Sequence, residues 1–191
     1  MRSGAHQRQE RLRRVRYRVA ASLNGYIAGP NGEIDWIVQD PTFDFSSLYS
    51  GVDTVLLGRR TFELTQKPGA PSWPVGWHVY VFSRTLQPDA HPNVTIIGDD
   101  AGGAVAKMRS RPGEDIWLFG GGDLFASLLA ARVVDEVEVA IMPVLLGGGV
   151  PLLVRSAGIA QLRLKDCRTS PRGIVTLRYD LAPPTGSRIS P

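Results

Sequence analysis

Apolar residues recur along this chain with two alternating periods. Val15 to Ser22, Val52 to Leu57, Trp77 to Phe82, Val94 to Ile97 and Asp115 to Phe119 are short, mostly apolar and rich in β-branched or aromatic side chains, the pattern of strands covered on both faces. Asp135 to Met142 adds a sixth. Helical spacing appears between them: over 42–50 after Asp40-Pro41, after Leu57 through Gly58-Arg59-Arg60-Thr61, over Ala101 to Ser110, and where Leu124, Leu128 and Ala131 form one stripe. Leu162 to Cys167 and Ile174 to Leu181 then alternate apolar and polar residues around Ser170-Pro171-Arg172-Gly173, which predicts a closing antiparallel hairpin. Strand and helix alternation requires parallel pairing with crossovers. The pattern therefore predicts an α/β fold: a mixed, mostly parallel eight-stranded sheet flanked by four helices, with the hairpin at one edge.

Turn chemistry sharpens this outline at two places. Asn24-Gly25 and Gly29-Pro30 bracket a short extended Tyr26-Ile27-Ala28, and the stretch from Lys67 to Gly76, rich in proline and glycine, is a loop. Gly120-Gly121-Gly122 stand between the fifth strand and a helix that Asp123 is placed to cap; a second triple glycine occupies 147 to 149.

With 191 residues, 43% of them hydrophobic, the chain is sized for one domain, expected over 15–182. Residues 1–14 read as a disordered basic arm and 183–191 as a disordered tail. No apolar run approaches the roughly 18 to 20 residues needed to span a bilayer. No apolar segment near the N-terminus precedes a cleavage site, so a cytoplasmic protein is expected. The single Cys167 excludes an internal disulfide, and His6, His78 and His91 are too scattered to hold a metal.

The formal charge of +4 invites a nucleic-acid reading, which the location of the charge removes. Residues 1–18 hold seven arginines and one acid, a net of +6, while the rest holds 15 basic and 17 acidic side chains, a net of −2. The body is not basic, and no specific nucleic-acid partner is expected.

In open parallel sheets ligands bind beyond the carboxyl ends of the strands. Three of those ends carry phosphate-competent chemistry: Gly58-Arg59-Arg60-Thr61, Ser83-Arg84-Thr85 and Gly120-Gly121-Gly122. Guanidinium forks and short hydroxyls recognise phosphate, and glycine backbone leading into a helix N-terminus suits a pyrophosphate. Three such ends imply a ligand with a pyrophosphate and a separate monophosphate, a description that fits NADPH.

These segments, with Ser22 to Ala28, Val55 to Glu63 and Pro143 to Gly149, resemble the dihydrofolate reductase superfamily, in its order and over about residues 15–181. They are most similar to its bacterial branch related to the reductase domain of riboflavin biosynthesis. The resemblance implies that Gly58, Arg59, Arg60, Thr61, Ser83 and Arg84 hold the 2′-phosphate side of NADPH. It places Gly120, Gly121 and Gly122, followed by Asp123 and Leu124, at the pyrophosphate, and Ala20 and Ala28 at the nicotinamide. It makes Gly29 to Trp36 a flap, the Gly120–Gly121 peptide cis, and the protein a homodimer, with the Val139 to Leu146 stretch as a candidate interface. The riboflavin-type branch carries Asp where this chain has Asn24, which counts against a strict riboflavin-pathway role.

By the same resemblance one carboxylate on the helix after the flap places the proton that a reduced C=N bond must gain with its hydride. Asp44 occupies the comparable position, Asp35 in the flap is its rival, and Asp40 stands third. The expected function is an NADPH-dependent reductase acting on a C=N or C=O of a small pterin-like or pyrimidine substrate. A riboflavin-pathway reductase and a non-catalytic NADPH-binding protein are the alternatives.

Overall fold

The computed structural model describes residues 11–42, 49–70, 72–154 and 159–182. Ten strands and three helices lie among them. In chain order these are β1 (Val15–Ser22), β2 (Tyr26–Ala28), β3 (Val52–Gly58), α1 (Arg59–Thr65), β4 (His78–Phe82), β5 (Thr95–Ile97), α2 (Ala101–Arg109), β6 (Asp115–Gly120), α3 (Gly122–Ala130), β7 (Glu136–Met142), β8 (Val150–Pro151), β9 (Leu162–Thr169) and β10 (Val175–Leu181). The fourth helix expected, over 42–50, lies mostly outside the described residues.

Eight strands form one sheet in the order β5-β4-β3-β6-β1-β7-β10-β9. Pairing is parallel from β5 to β7 and antiparallel from β7 through β10 to β9. The mixed sheet and the closing hairpin predicted from the pattern are both present. Sheet polarity follows from the sequence: the crossover segments carry helices, whereas Ser170 to Gly173 joins β9 to β10 through a tight turn that only antiparallel strands can share. Val52 to Gly58 puts alternate residues on opposite faces, and each face is dry. Leu56 joins Val15, Tyr17, Ile116 and Leu118 beneath Val105 and Met108 of α2 and Leu124, Phe125 and Leu128 of α3. Val55 and Leu57 join Val79 and Val81 beneath Phe62 of α1. Burial on both faces is why Val55, Leu56 and Leu57 follow one another without a polar residue.

The folded body begins earlier than composition suggested. Arg13 is 7% exposed, hydrogen-bonding the Asp53 carboxylate, the Glu114 carbonyl and the Thr54 hydroxyl, the last at 2.6 Å. Its neighbour Arg14 reaches Asp180 at 2.6 Å, while Arg11 and Arg16 both engage Asp115. Residues 11–14 thus belong to the body, because guanidinium groups that find carboxylates at the amino ends of several strands leave solvent. Residues 1–10 and 183–191 lie outside the described residues.

This topology decides where a ligand can sit. The chain runs from β1 outward through β3, β4 and β5, returns to insert β6 between β3 and β1, and continues to β7 on the far side. The reversal places the β6–α3 turn at the middle of the sheet's carboxyl edge, with β3 and β4 on one side and β1 on the other.

Candidate functional site

The turn at the end of β6 is built for close backbone approach. Gly120 has φ of 140°, a conformation that favours glycine, and the Gly120–Gly121 peptide is cis, as expected. A Cβ on Gly121 would stand 3.3 Å from the Thr61 hydroxyl oxygen, and a Cβ on Gly58 would stand 3.6 Å from the Gly121 nitrogen. The ends of β3 and β6, with the first turn of α1, therefore meet backbone to backbone. Gly58, Thr61, Gly120 and Gly121, all expected at the phosphates, are brought together.

Helix α3 opens from this turn with Gly121 as N-cap and no side-chain cap. Asp123, read from sequence as that cap, lies instead in the exposed first turn. Because the turn is all glycine, the first residues of the helix bring no capping side chain of their own, and its positive end faces the sheet edge. The three glycines do different work. Gly122 is buried, and a Cβ there would stand 2.7 Å from the Pro151 carbonyl oxygen, so this glycine admits β8 against the helix. Leu124 is 7% exposed and belongs to the core, leaving only its backbone to face a ligand.

Of the arginines, Arg59 is tied to Glu63 at 2.9 Å within α1, and Arg84 approaches Asp99 at 3.6 Å with both side chains exposed. Exposed Arg60 makes no ion pair or hydrogen bond among the described residues, which leaves its fork free for an anion. Ser83 is buried, and its hydroxyl accepts from the amides of Thr85 at 3.2 Å and Leu86 at 3.1 Å. Those two bonds use the hydroxyl as an acceptor and fix its turn.

Past β1 the edge changes character. Ala20 pairs in register with Ala140, and Ala28, on β2, is 9% exposed, so small side chains leave room there for a flat ring. Beyond β2 the flap turns back on itself. Gly29 donates to the Glu33 carbonyl at 2.8 Å, and Trp36 Nε1 donates to the same carbonyl at 2.9 Å, which fixes the indole. Glu33 accepts from the Asn31 amide at 2.8 Å and from Asn31 Nδ2 at 2.7 Å; the side-chain bond most of all holds its carboxyl below the usual carboxylate range. Gly29, Pro30, Glu33, Asp35 and Trp36 form one wall of an open groove of about 400 Å³, and Leu146, Gly147 and Gly148 form the other.

Asn24, singled out in sequence for departing from Asp, ties these walls together. Its Nδ2 donates to the Leu146 carbonyl at 2.7 Å, and its Oδ1 accepts from the Leu146 amide at 3.1 Å and from the Ser22 hydroxyl at 2.9 Å. Leu23 donates to the Val144 carbonyl beside it, and a Cβ on Gly149 would fall 2.1 Å from the Ala28 carbonyl oxygen. Of the second triple glycine, Gly149 is thus the packing position between β2 and β8, while Gly147 and Gly148 have open space beside them.

The three candidate acids separate. Asp44 lies outside the described residues. Asp35 is exposed on the groove. Asp40 is 3% exposed, but the Ser170 side chain, then Thr42, hold its carboxyl below the usual range; it stays ionised, the wrong state for a proton donor near neutral pH. No helix of the described residues is long and apolar enough to cross a membrane.

Known proteins share this architecture. An uncharacterised Bacillus subtilis protein, YyaP, is 34% identical over 178 residues, covering 87% of this chain and 94% of its own length. A Shewanella sp. PV-4 protein described as a riboflavin biosynthesis protein superposes with a TM-score of 0.78 at 23% identity, covering 89% of this chain and 99% of that one. Dihydrofolate reductase from Enterococcus faecalis, solved with NADP(H), superposes with a TM-score of 0.63 at 16% identity, covering 88% and 94%. The glycine turn at the sheet's switch point thus sits in a dihydrofolate-reductase-like fold. Since the family model described as RibD C-terminal domain matches residues 13–176, the chain belongs to the RibD C-terminal domain family.

Proposed function

We propose that this protein is an NADPH-dependent reductase that delivers a hydride to a C=N or C=O carbon of a small heterocycle. The observation that carries the reading is the uncapped, side-chain-free N-terminus of α3 meeting Gly58 and Thr61 across the switch point, with the unpaired Arg60 beside it. Those residues fit a dinucleotide: backbone N–H groups for a pyrophosphate, and a free guanidinium for a 2′-phosphate. When bound, NADPH supplies the hydride.

The chain contributes binding, orientation and a proton. Arg60, assisted by Arg59 and Arg84 once they exchange their carboxylate partners, holds the phosphate end; Ala20 and Ala28 leave space for the reacting ring. Asp44 keeps the proton-placing role that the family resemblance assigns it, with Asp35 as the alternative at the groove. A homodimer remains part of the proposal, as does a cytoplasmic setting. Calorimetry with both cofactors tests the reading. NADPH should bind about tenfold or more tighter than NADH, and Arg60→Ala should erase most of that preference while leaving NADH affinity unchanged, as loss of a charge-assisted hydrogen bond worth about 1.5 to 3 kcal/mol implies. Equal affinities for the two cofactors in the unaltered protein would overturn it.

A further inference from the structure

The arginines at the strand ends lie outside the groove beneath the flap, and the groove itself is lined by acids. Strand order runs β4, β3, β6, β1, so Arg84, then Arg59 and Arg60, then neutral glycines, then Ala20 follow one another along the edge. Past β1, the charged side chains among the described residues lining the groove are Glu33 and Asp35; no lysine or arginine lines it there. Glu33 cannot swing away, since both its oxygens are bonded to Asn31, and Trp36 presents a ring anchored through its N–H. Asp35 makes no hydrogen bond or ion pair among the described residues and lines the groove as a carboxylate acceptor.

Resting on the reductase reading above, we infer that the groove under the flap takes a flat heterocycle without a phosphate, neutral or cationic, packed on Trp36 with a ring amino or N–H group donating to Asp35. A phosphate monoester carries close to two negative charges near neutral pH. In a concave site lined by low-dielectric walls, two fixed carboxylates and such a group repel, and clefts of one sign concentrate ligands of the other. The same acidic lining leaves the dinucleotide phosphates at the arginine-bearing strand ends, so cofactor and substrate are sorted by charge. The Asp35 carboxylate is a recognition group here whether or not it also relays a proton.

Two probes that differ only by the phosphate separate the possibilities: 5-amino-6-ribitylaminouracil and its 5′-phosphate, titrated calorimetrically into the protein saturated with NADP⁺. The phosphate-free compound should bind about tenfold or more tighter. Asp35→Asn should narrow that ratio, and Asp35→Lys should narrow it further or invert it, with NADP⁺ affinity unchanged in both variants. Tighter binding of the phosphate ester to the unaltered protein, a ratio indifferent to Asp35→Lys, or binding of neither compound overturns the inference while NADP⁺ binding leaves the reductase reading standing. Failure of NADP⁺ itself to bind overturns both.

Discussion

Replacing Asn24 by aspartate keeps the size of the side chain and removes one function, the Nδ2 donor that reaches the Leu146 carbonyl at 2.7 Å. The acceptor bonds from the Leu146 amide and the Ser22 hydroxyl can persist, since either oxygen of a carboxylate accepts. What changes is that a negative oxygen replaces an N–H opposite a carbonyl oxygen. A net hydrogen bond contributes roughly 0.5 to 1.5 kcal/mol, and the new repulsion is moderated because Asn24 is exposed, so the loss should be about 1 to 2 kcal/mol near neutral pH. For a chain of this size that corresponds to a fall in melting temperature of roughly 2 to 8 °C. The sign of its pH dependence follows from the contact. The introduced carboxyl is disfavoured as an anion in the folded state, so its folded pKa lies above its unfolded value. The penalty relative to the parent should therefore shrink as pH falls through that raised value toward about 4, where the protonated acid can again donate. Hydrogen exchange at Leu146 separates the two bonds: its amide should stay protected in Asn24→Asp and lose protection in Asn24→Ala. Thermal melts of both variants at pH 7 and pH 4 complete the assay. An aspartate variant as stable as the parent at pH 7, or one penalised equally at both pH values, would show that the Asn24 clamp does not hold the loop as described.

Three further outcomes follow from the packing. Gly122→Ala places a methyl 2.7 Å from the Pro151 carbonyl oxygen, a backbone atom that cannot turn aside, so a loss of about 1 to 3 kcal/mol is expected by urea unfolding; a loss below about 0.5 kcal/mol would show that β8 yields freely. Tyr17 is fully buried, stacked on Phe125 at 3.9 Å, with a hydroxyl that finds no hydrogen-bond partner among the described residues; Tyr17→Phe keeps the stack and should stabilise the fold by about 1 kcal/mol, against the destabilisation expected if that hydroxyl were bonded. Burial alone would raise the Asp180 carboxyl, but hydrogen bonds from Arg14, Lys165 and Arg163 outweigh it and push the pKa down to about 2. Its contribution is then present above the unfolded value near 4 and is lost as pH falls toward 2. With two partners solvent-exposed, Asp180→Asn should cost about 1 kcal/mol at pH 7 and little at pH 2, and a cost independent of pH would contradict the ion-pair account.

How much of this was legible in the sequence depends on the range of the interaction involved. Element identity and sheet polarity were, because they rest on local periodicity and on connection length: an apolar run such as Val52 to Leu57 can only be a strand covered on both faces, and the short turn at Ser170 to Gly173 can only join antiparallel neighbours. The glycine turn at 120 to 122 was also legible, since only glycine supplies that combination of backbone freedom and missing bulk. What each polar side chain does was not, because its partner is remote in sequence. Arg13 reads as part of a solvated basic arm until Asp53 and Glu114 are folded against it, and Asn24 reads as a turn residue until Leu146, 122 positions away, arrives beside it. Ser83 shows a local case: its hydroxyl accepts from amides two and three residues on, a turn contact within reach of short-range sequence reading. The acidic lining of the groove belongs wholly to the tertiary structure. Only the folded chain sets Glu33, Asp35 and Trp36 opposite Leu146, Gly147 and Gly148 in one groove that no arginine or lysine lines.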